Sequence, residues 1–506
     1  MRTTIVTAAT ALALLGAGAL TVPAAAADPT RPGPGAAFGE AALDPTLATA
    51  RRVLGGNASP RDPSATLALR DLWLAKPRLR GVERRQADAL LARPTDGASD
   101  PVGFGYTVAE QPPLCNTRLC LHYVGSGTDA PPSPDWPNLN LAVMDSVWTV
   151  EVDQLGYRAP LTDGVAGGGP QFDVYLKDLG GDLYGYCVGE TRVKRRTSSG
   201  YCVLDNDFAT TQFPTGTPEG NLRVTAAHEF FHAIQYAYDY AEDPWMMEST
   251  ATWMEERYAT DVNDNLQYLP SGQLYAPYLP LDLFSRTGLF QYGNWTFWEY
   301  LSTKYGVRLV NRAWTQAGSL EGDGEKNSIA ALQKVLRGKG GLTKVYAKYA
   351  AANLTPATTY PEGAAYAAPK LKDAKTLSTG RSKRFSTRVN HLASRSYGFI
   401  PGKRTSGKRH KLVLRVTGPV KRTSPAAVVV LRLLNGKLQT KLVKLNRSGD
   451  GRIQVSFDGT RVGAVTVTLV NASTRYVCNR QTLLACGGRP LDDRSRFSVV
   501  GRAVRR

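Results

Sequence analysis

The chain has 506 residues, six cysteines and a formal net charge of +19 at pH 7. It is too long for one ordinary core, and its composition divides it into about three regions behind a short leader. Beyond that leader no apolar run approaches the roughly 20 residues needed to span a bilayer, so membrane embedding is not expected.

In chain order, Arg2 precedes an apolar run from Ile5 to Val22, and Ala25-Ala26-Ala27 before Asp28 offers a small-residue cleavage site. Residues 1–27 therefore read as a secretory signal peptide, and the protein as secreted. Residues 28–109 are rich in Ala, Leu and Arg, with helical stretches at 66–76 and 82–93 separated by Pro and Gly. This helical N-terminal region fits a propeptide shielding a site further on, a helical lobe of the mature protein, or a partly disordered leader. The cysteines fall into three near neighbours, Cys115 with Cys120, Cys187 with Cys202 and Cys478 with Cys486. Export favours local disulfides between them, and the lack of any CxxC argues against a four-cysteine zinc site.

Residues 110–370 hold most of the acidic groups and the sequence His228-Glu229-Phe230-Phe231-His232. This HExxH pattern sets two imidazoles one helical turn apart with a carboxylate beside them, the arrangement a hydrolytic zinc ion requires. From Asn221 to Ala241 no Pro or Gly interrupts, and Asn221 stands where a helix cap would. Val224, Ala227, Phe230, Phe231, Ile234, Ala237 and Tyr238 then form an apolar face, with Thr225, His228, Glu229, His232 and Gln235 opposite.

A catalytic zinc needs a third protein ligand. Continuing the motif as HExxHxxGxxH would need Gly and His where Gln235 and Tyr238 stand, so a third histidine of that kind is absent. After Pro244, residues 245–256 read as a second helix, and Glu248 is the natural third ligand because it lies nearest the turn after the histidine helix. Glu255 shares its stripe but lies seven residues on, about 10 Å along the axis, so the two cannot ligate equivalently. A solvated position is the simpler expectation for Glu256. After this helix, residues 295–305, 327–337 and 342–353 read as further helices.

His228-Glu229-x-x-His232 followed by a Glu248-x-x-Ala251 helix resembles the gluzincin branch of the zincin metallopeptidases, and in particular secreted bacterial metalloproteases of that type. The resemblance is strongest over residues 201–265. It extends more weakly over 122–305, including Leu155-Gly156-Tyr157-Arg158, Asp205-Asn206-Asp207 and Tyr292-Gly293-Asn294-Trp295. It implies an α+β zincin-like domain with a sheet-bearing lobe before the motif, a helical lobe after it, and substrate in the cleft between. It also implies Zn2+ held by His228, His232 and Glu248, with Glu229 as general base toward a water. Many gluzincins carry an acidic residue where this chain has Thr252, leaving Glu255 or an acidic residue from elsewhere to brace a ligand histidine. Tyr201-Cys202-Val203-Leu204 fits the family's edge strand, which pairs with an extended peptide. Tyr292, Tyr268 and Tyr258 are candidates to stabilise an oxyanion, and Asp205-Asn206-Asp207 reads as an Asx-rich turn in preference to a calcium site.

Residues 375–506 change character. Segments 411–416, 427–433, 452–457 and 463–470 alternate or run β-branched between Gly, Asn, Ser and Pro, which predicts an antiparallel β-sandwich. This stretch holds 29 Lys and Arg against 4 Asp and Glu, a net of +25, so that residues 1–374 carry −6. Such a field suits an anionic cell-wall polymer or acidic polysaccharide as partner, or simply a solvated surface; no nucleic-acid-binding motif accompanies it. Two readings follow: a secreted zinc endopeptidase with a basic accessory domain, or a catalytically degenerate relative that binds cell wall or polysaccharide. The intact Glu229 favours the first.

Overall fold

The sheet that carries the site is built from alternation. In the computed structural model, which describes residues 43–55, 64–99, 104–285 and 288–505, five strands run β1 (Leu114–Cys115), β2 (Leu119–His122), β3 (Phe172–Lys177), β4 (Gly185–Lys194) and β5 (Thr197–Asp205). Their order is β1-β2-β3-β5-β4; β2, β3 and β5 are parallel, and β1 and β4 pair antiparallel at the two edges. The proposed signal peptide, residues 1–27, lies outside the described residues.

Successive side chains of a strand point to opposite faces, and here both faces are covered. Tyr175, Tyr186, Val188, Tyr201 and Val203 face a core shared with the helices α1 (Pro45–Leu54), α2 (Ala65–Ala75) and α3 (Gly81–Leu90). Val174, Leu176, Cys187, Cys202 and Leu204 face the opposite way, into the main core with α4 (Trp136–Trp148) and α5 (Pro218–Tyr236). Burial on both sides explains why β5 has no exposed residue. It also corrects one expectation: the strand through 201–204 is interior, and the edge beside the motif helix is β4.

Helix α5 begins earlier and ends earlier than the uninterrupted run suggests. Pro218, pre-set for a first helical position, follows the cap Thr217, whose side chain accepts from Gly220 N at 3.0 Å. Asn221 lies inside the helix and donates to Thr215 O instead. The helix is also buried nearly all round: Thr225, Glu229, His232 and Gln235 on the polar side are as enclosed as the apolar side. The next helix, α6 (Pro244–Tyr258), starts on Pro244, whereas α5 has already ended at Tyr236; contrary to expectation, that proline opens the second helix and does not close the first.

Helices α7 (Phe290–Gly293), α8 (Trp295–Tyr305), α9 (Arg308–Ala317), α10 (Ser328–Leu336) and α11 (Leu342–Ala352) complete the helical part. Three of these match the predicted stretches, whereas α4 and α9 have no predicted counterpart. Four buried indoles fix α6, two of its own (Trp245 and Trp253) and two from α8 and α9 (Trp298 and Trp314). Trp245 Nε1 donates to Ser328 Oγ, Trp298 Nε1 to Ser249 Oγ, Trp314 Nε1 to Thr250 Oγ1 and Trp253 Nε1 to Glu299 Oε2, at 2.8 to 3.3 Å. Each tryptophan thereby buries a large apolar area without orphaning its N–H, and Glu248 rides on the helix they fix.

The C-terminal region forms two facing sheets around one core of Phe385, Phe399, Leu412, Leu414, Val429, Val467 and their neighbours. One sheet has the order β11-β10-β13-β8-β6, from β6 (Asp373–Leu377), β8 (Ala393–Pro401), β10 (Pro425–Leu433), β11 (Leu438–Leu442) and β13 (Val462–Asn471). The other has the order β12-β9-β16-β7, from β7 (Ser382–Val389), β9 (His410–Thr417), β12 (Asp450–Ser456) and β16 (Ser495–Arg505). A small ribbon joins β14 (Tyr476–Val477) to β15 (Arg489–Pro490). Pairing is antiparallel except that β6 runs parallel to β8. Val428 and Val430 of β10, with Val470 of β13, turn away from this core and join the main one, which accounts for the unbroken apolar run at 426–431.

Residues Leu43–Arg506 thus form one compact unit. Disulfides join Cys115 to Cys120, Cys187 to Cys202 and Cys478 to Cys486. Among the described residues no helix is long and apolar enough to cross a membrane.

Candidate metal centre

Two adjacent helices bring the predicted residues together. His228 and His232 stand one turn apart on α5, and α6 crosses so that Glu248 Oε2 lies 3.3 Å from His228 Nε2 and 3.8 Å from His232 Nε2. The three offer ligand atoms that all lie within 4.8 Å of one another. Zinc bonds of about 2.1 Å in a tetrahedron set ligand atoms about 3.4 Å apart, close to the spacing seen. Among the described residues His232 Nε2 and Glu248 Oε2 are buried without a hydrogen-bond partner, a costly arrangement for isolated polar atoms and the expected one for metal donors. The donor set therefore fits a zinc ion.

Partners on the far side of each imidazole fix its direction. His228 Nδ1 is 2.6 Å from Glu255 Oε1, and His232 Nδ1 is 2.8 Å from Gln235 Oε1. Because an amide oxygen only accepts, His232 must donate from Nδ1, which leaves the Nε2 lone pair aimed at the centre. Gln235 is itself held, donating to Met247 O at 3.0 Å and Thr250 Oγ1 at 3.2 Å. Glu255, one of two alternatives open in the sequence, is the carboxylate at the ligand histidine, while the Thr252 hydroxyl turns back to Glu248 O. Glu256 is not on a solvated face: it is 4% exposed and accepts from Asn265 Nδ2 at 2.8 Å and Thr260 Oγ1 at 3.1 Å.

Burial and neighbouring charge set the protonation of the group. Burial pushes Glu229 up to about 7, against the opposing pull of His228. Burial also raises Glu248, but the close approach of His228 and the charges of His232 and His228 outweigh it and hold that carboxyl down to about 2. Burial lowers His228, but the close approach of Glu248 and the bond to Glu255 carry it well above the usual imidazole range. His232, wholly enclosed, is lowered by burial to about 4 and stays neutral, the form that ligates.

The site also recruits residues the sequence did not mark. Ser64 Oγ donates to Glu248 Oε1 at 2.6 Å across 184 positions, and Thr66 Oγ1 donates to Glu229 Oε2 at 2.8 Å across 163. Only spatial proximity could reveal either. Gln235 was readable as a polar residue on the histidine face, though its role was not. Glu151 follows the end of α4, in a π-helical stretch Thr149–Gln154; it is 0% exposed, has no partner for either oxygen among the described residues and feels the charge of His228.

Of the three candidate tyrosines, two stand at the centre. The Tyr292 ring lies 6.0 Å from the His228 ring and nearly parallel to it, and Tyr268 stacks on Tyr292 at 5.2 Å. Tyr258 is turned away, toward Val143 O. Gly293 explains how Tyr292 gets there: a Cβ at that position would come within 2.4 Å of Gly272 N and Tyr268 O, so only glycine permits this approach. Asn294 ties the same turn down, accepting from Gln273 N at 3.0 Å and donating to Leu281 O at 2.9 Å. Asp205 forms the predicted Asx turn, with Oδ1 accepting from Phe208 N at 2.7 Å.

No protein-family model matches the chain, and no curated protein matches it. Among solved structures it is similar to BtGH115A, a family GH115 4-O-methyl-alpha-glucuronidase with specificity for decorated arabinogalactans, at 10% identity and a TM-score of 0.13. That match covers 69% of this chain and spans only 54% of the glucuronidase chain, and so loose a likeness carries no argument about fold or activity.

Proposed function

We propose that the protein is a secreted zinc-dependent endopeptidase of zincin-like fold. The reading is carried by one observation: His228 Nε2, His232 Nε2 and Glu248 Oε2 converge beside Glu229, and two of these three atoms have no other partner among the described residues. When bound there, zinc supplies a Lewis acid for the scissile carbonyl and makes a water acidic near neutral pH. Glu229, with a carboxyl held near 7, is poised to take a proton from the attacking water and return it to the departing amine. Tyr292 is the phenol best placed to donate to the tetrahedral oxyanion. Gln235 and Glu255 keep the two imidazoles pointed inward. Three disulfides suit an oxidising, extracellular setting, and the basic C-terminal region is assigned to retention on an anionic cell-wall polymer.

The test is metal content and protein hydrolysis of the exported chain, with and without chelator, beside Glu229→Gln. One zinc per chain is expected, with chelator-sensitive hydrolysis. The variant should keep its zinc and lose about 10²- to 10⁴-fold of the rate. Equal rates in both proteins would overturn the mechanism. Absence of zinc from the parent would favour the wall-binding reading.

A further inference from the structure

The start of α2 reaches two carboxylates of the site and the edge strand beside them. Ser64 caps the helix and directs its hydroxyl to Glu248 Oε1, beside the Tyr292 phenol. Two residues on, Thr66 Oγ1 donates to Glu229 Oε2 and accepts from Cys187 N at 2.9 Å. Cys187 belongs to β4, the edge strand, and Trp73 Nε1 of the same helix donates to Glu190 O of that strand at 3.1 Å. An unpaired strand edge is the usual docking rail for an extended peptide, and here α2 takes one of its amides and one of its carbonyls. Thr66 copies a bound peptide at two points. Its oxygen accepts from the edge amide as a substrate carbonyl would, and its hydroxyl occupies the general base where the attacking water must stand.

The segment is firmly seated. Arg70 Nη1 donates to Glu242 O at 3.1 Å, just before α6, and Leu67 joins the main core. Further along, the Arg93 guanidinium is buried against Asp163, Asp173 and Glu190, which fastens the end of the N-terminal region to the sheet. The consequence is closure: Glu229 is 8% exposed, and His232 and Glu248 are 0% exposed.

We propose that α2 is an autoinhibitory segment, and that the chain in this conformation is latent, with Ser64 and Thr66 holding the substrate side of the site. The inference rests on the peptidase reading above and adds its regulation: access to the site requires α2 to leave the edge of β4. The intact chain then hydrolyses only through its minor open population, and its apparent affinity for any ligand of the site is reduced by that fraction.

The test uses the full folded chain in three forms, intact, Ser64→Ala with Thr66→Ala, and cut after folding at a sequence-specific protease site built into the exposed residues 107–109. Each form is assayed for zinc content, for binding of acetohydroxamate as a small zinc-directed probe, and for protein hydrolysis. Zinc is expected in all three. Probe affinity and hydrolysis should both rise in the double variant and by about tenfold or more in the cut chain, and added N-terminal fragment should reverse the gain. If all forms hold zinc and bind the probe equally, occlusion is overturned while the peptidase reading stands. If hydrolysis falls in the double variant, Ser64 and Thr66 position the carboxylates instead, and occlusion is again overturned. If no form holds zinc, the peptidase reading fails and this inference fails with it.

Discussion

His228 Nδ1 lies 2.6 Å from Glu255 Oε1, while the opposite nitrogen of the same ring faces Glu248. One imidazole is thus flanked at both ends by carboxylates two turns apart on a single helix, the one a proposed zinc ligand and the other bracing the ring. The other oxygen of Glu255 has no partner among the described residues, and burial raises that carboxyl to about 7. Glu255→Gln keeps the shape but loses the charge, so zinc affinity should fall about 10- to 100-fold, read by competition with a chromogenic chelator. An unchanged affinity would show the brace to be dispensable.

Tyr292 stacks beside His228, near the Ser64 hydroxyl. Removing only the phenol hydroxyl in Tyr292→Phe should cost about 10² to 10³ in kcat and leave KM nearly unchanged, since the bond is made chiefly in the transition state. Steady-state kinetics on a fluorogenic peptide decides. A change confined to KM would reassign Tyr292 to ground-state binding.

Arg93 bridges a buried cluster of Asp163, Asp173 and Glu190 and also contacts Tyr175 OH at 2.9 Å. Truncation to alanine strands three enclosed carboxylates around a cavity. Arg93→Ala should lose about 3 to 5 kcal/mol in urea unfolding. A loss under about 1 kcal/mol would mean that water or a counter-ion takes over its role.

His391, from the C-terminal region, is 3.1 Å from Asp282, and both are buried. Burial lowers the His391 imidazole, but the Asp282 charge outweighs it and leaves the group above its ordinary 6.5. Burial raises Asp282, but His391 and the Tyr476 hydroxyl outweigh it and leave the carboxyl below its ordinary 3.8. The His391 contribution is therefore full below about pH 6.5 and is lost as pH climbs through the raised value; that of Asp282 is full above about pH 4 and is lost on strong acidification. Unfolding free energy of the parent, minus that of His391→Gln with Asp282→Asn, should decline as pH rises from about 6.5 to 9, with a slope of at most about 1.4 kcal/mol per pH unit. A flat difference would show that the pair carries no linkage.

Arg388 on β7 faces Arg496 on β16 in register, and Arg415 on β9 faces Arg452 on β12. Like charges opposite one another on a sheet are destabilising unless something offsets them. All four are exposed, on one outer face of the C-terminal region. Retention on a polyphosphate-bearing resin should weaken steeply between about 50 and 200 mM salt, at order-of-magnitude level, and drop further in Arg388→Ala with Arg496→Ala. Salt-independent retention, or none, would leave this face as a solvated surface.

Local chemistry makes much of the site legible. The spacing of His228 and His232 is set by helical geometry, and Glu248 follows from the next helix because chain connectivity keeps that helix near. The strands at 427–433 and 463–470 and helices α8, α10 and α11 likewise carry their own periodic patterns. The cap of α5 is harder to place because Thr217-Pro218 competes with Asn221, and Pro218 already holds the helical backbone angle. Glu256 departs from its expected solvated position because a charged residue on a helix gives no local sign that another element will cover it.

The amino-acid sequence by itself determined the candidate ligand set, the neighbour pairing of cysteines and the confinement of positive charge to the C-terminal region, since each depends on residues close along the chain. Only the tertiary structure decided that Glu255 braces His228, that β4 is the edge strand, and that Ser64 and Thr66 close over Glu248 and Glu229. Those relationships join positions tens to hundreds of residues apart, where pairing is chosen by burial and by the need to satisfy enclosed polar groups, and no local pattern records that choice.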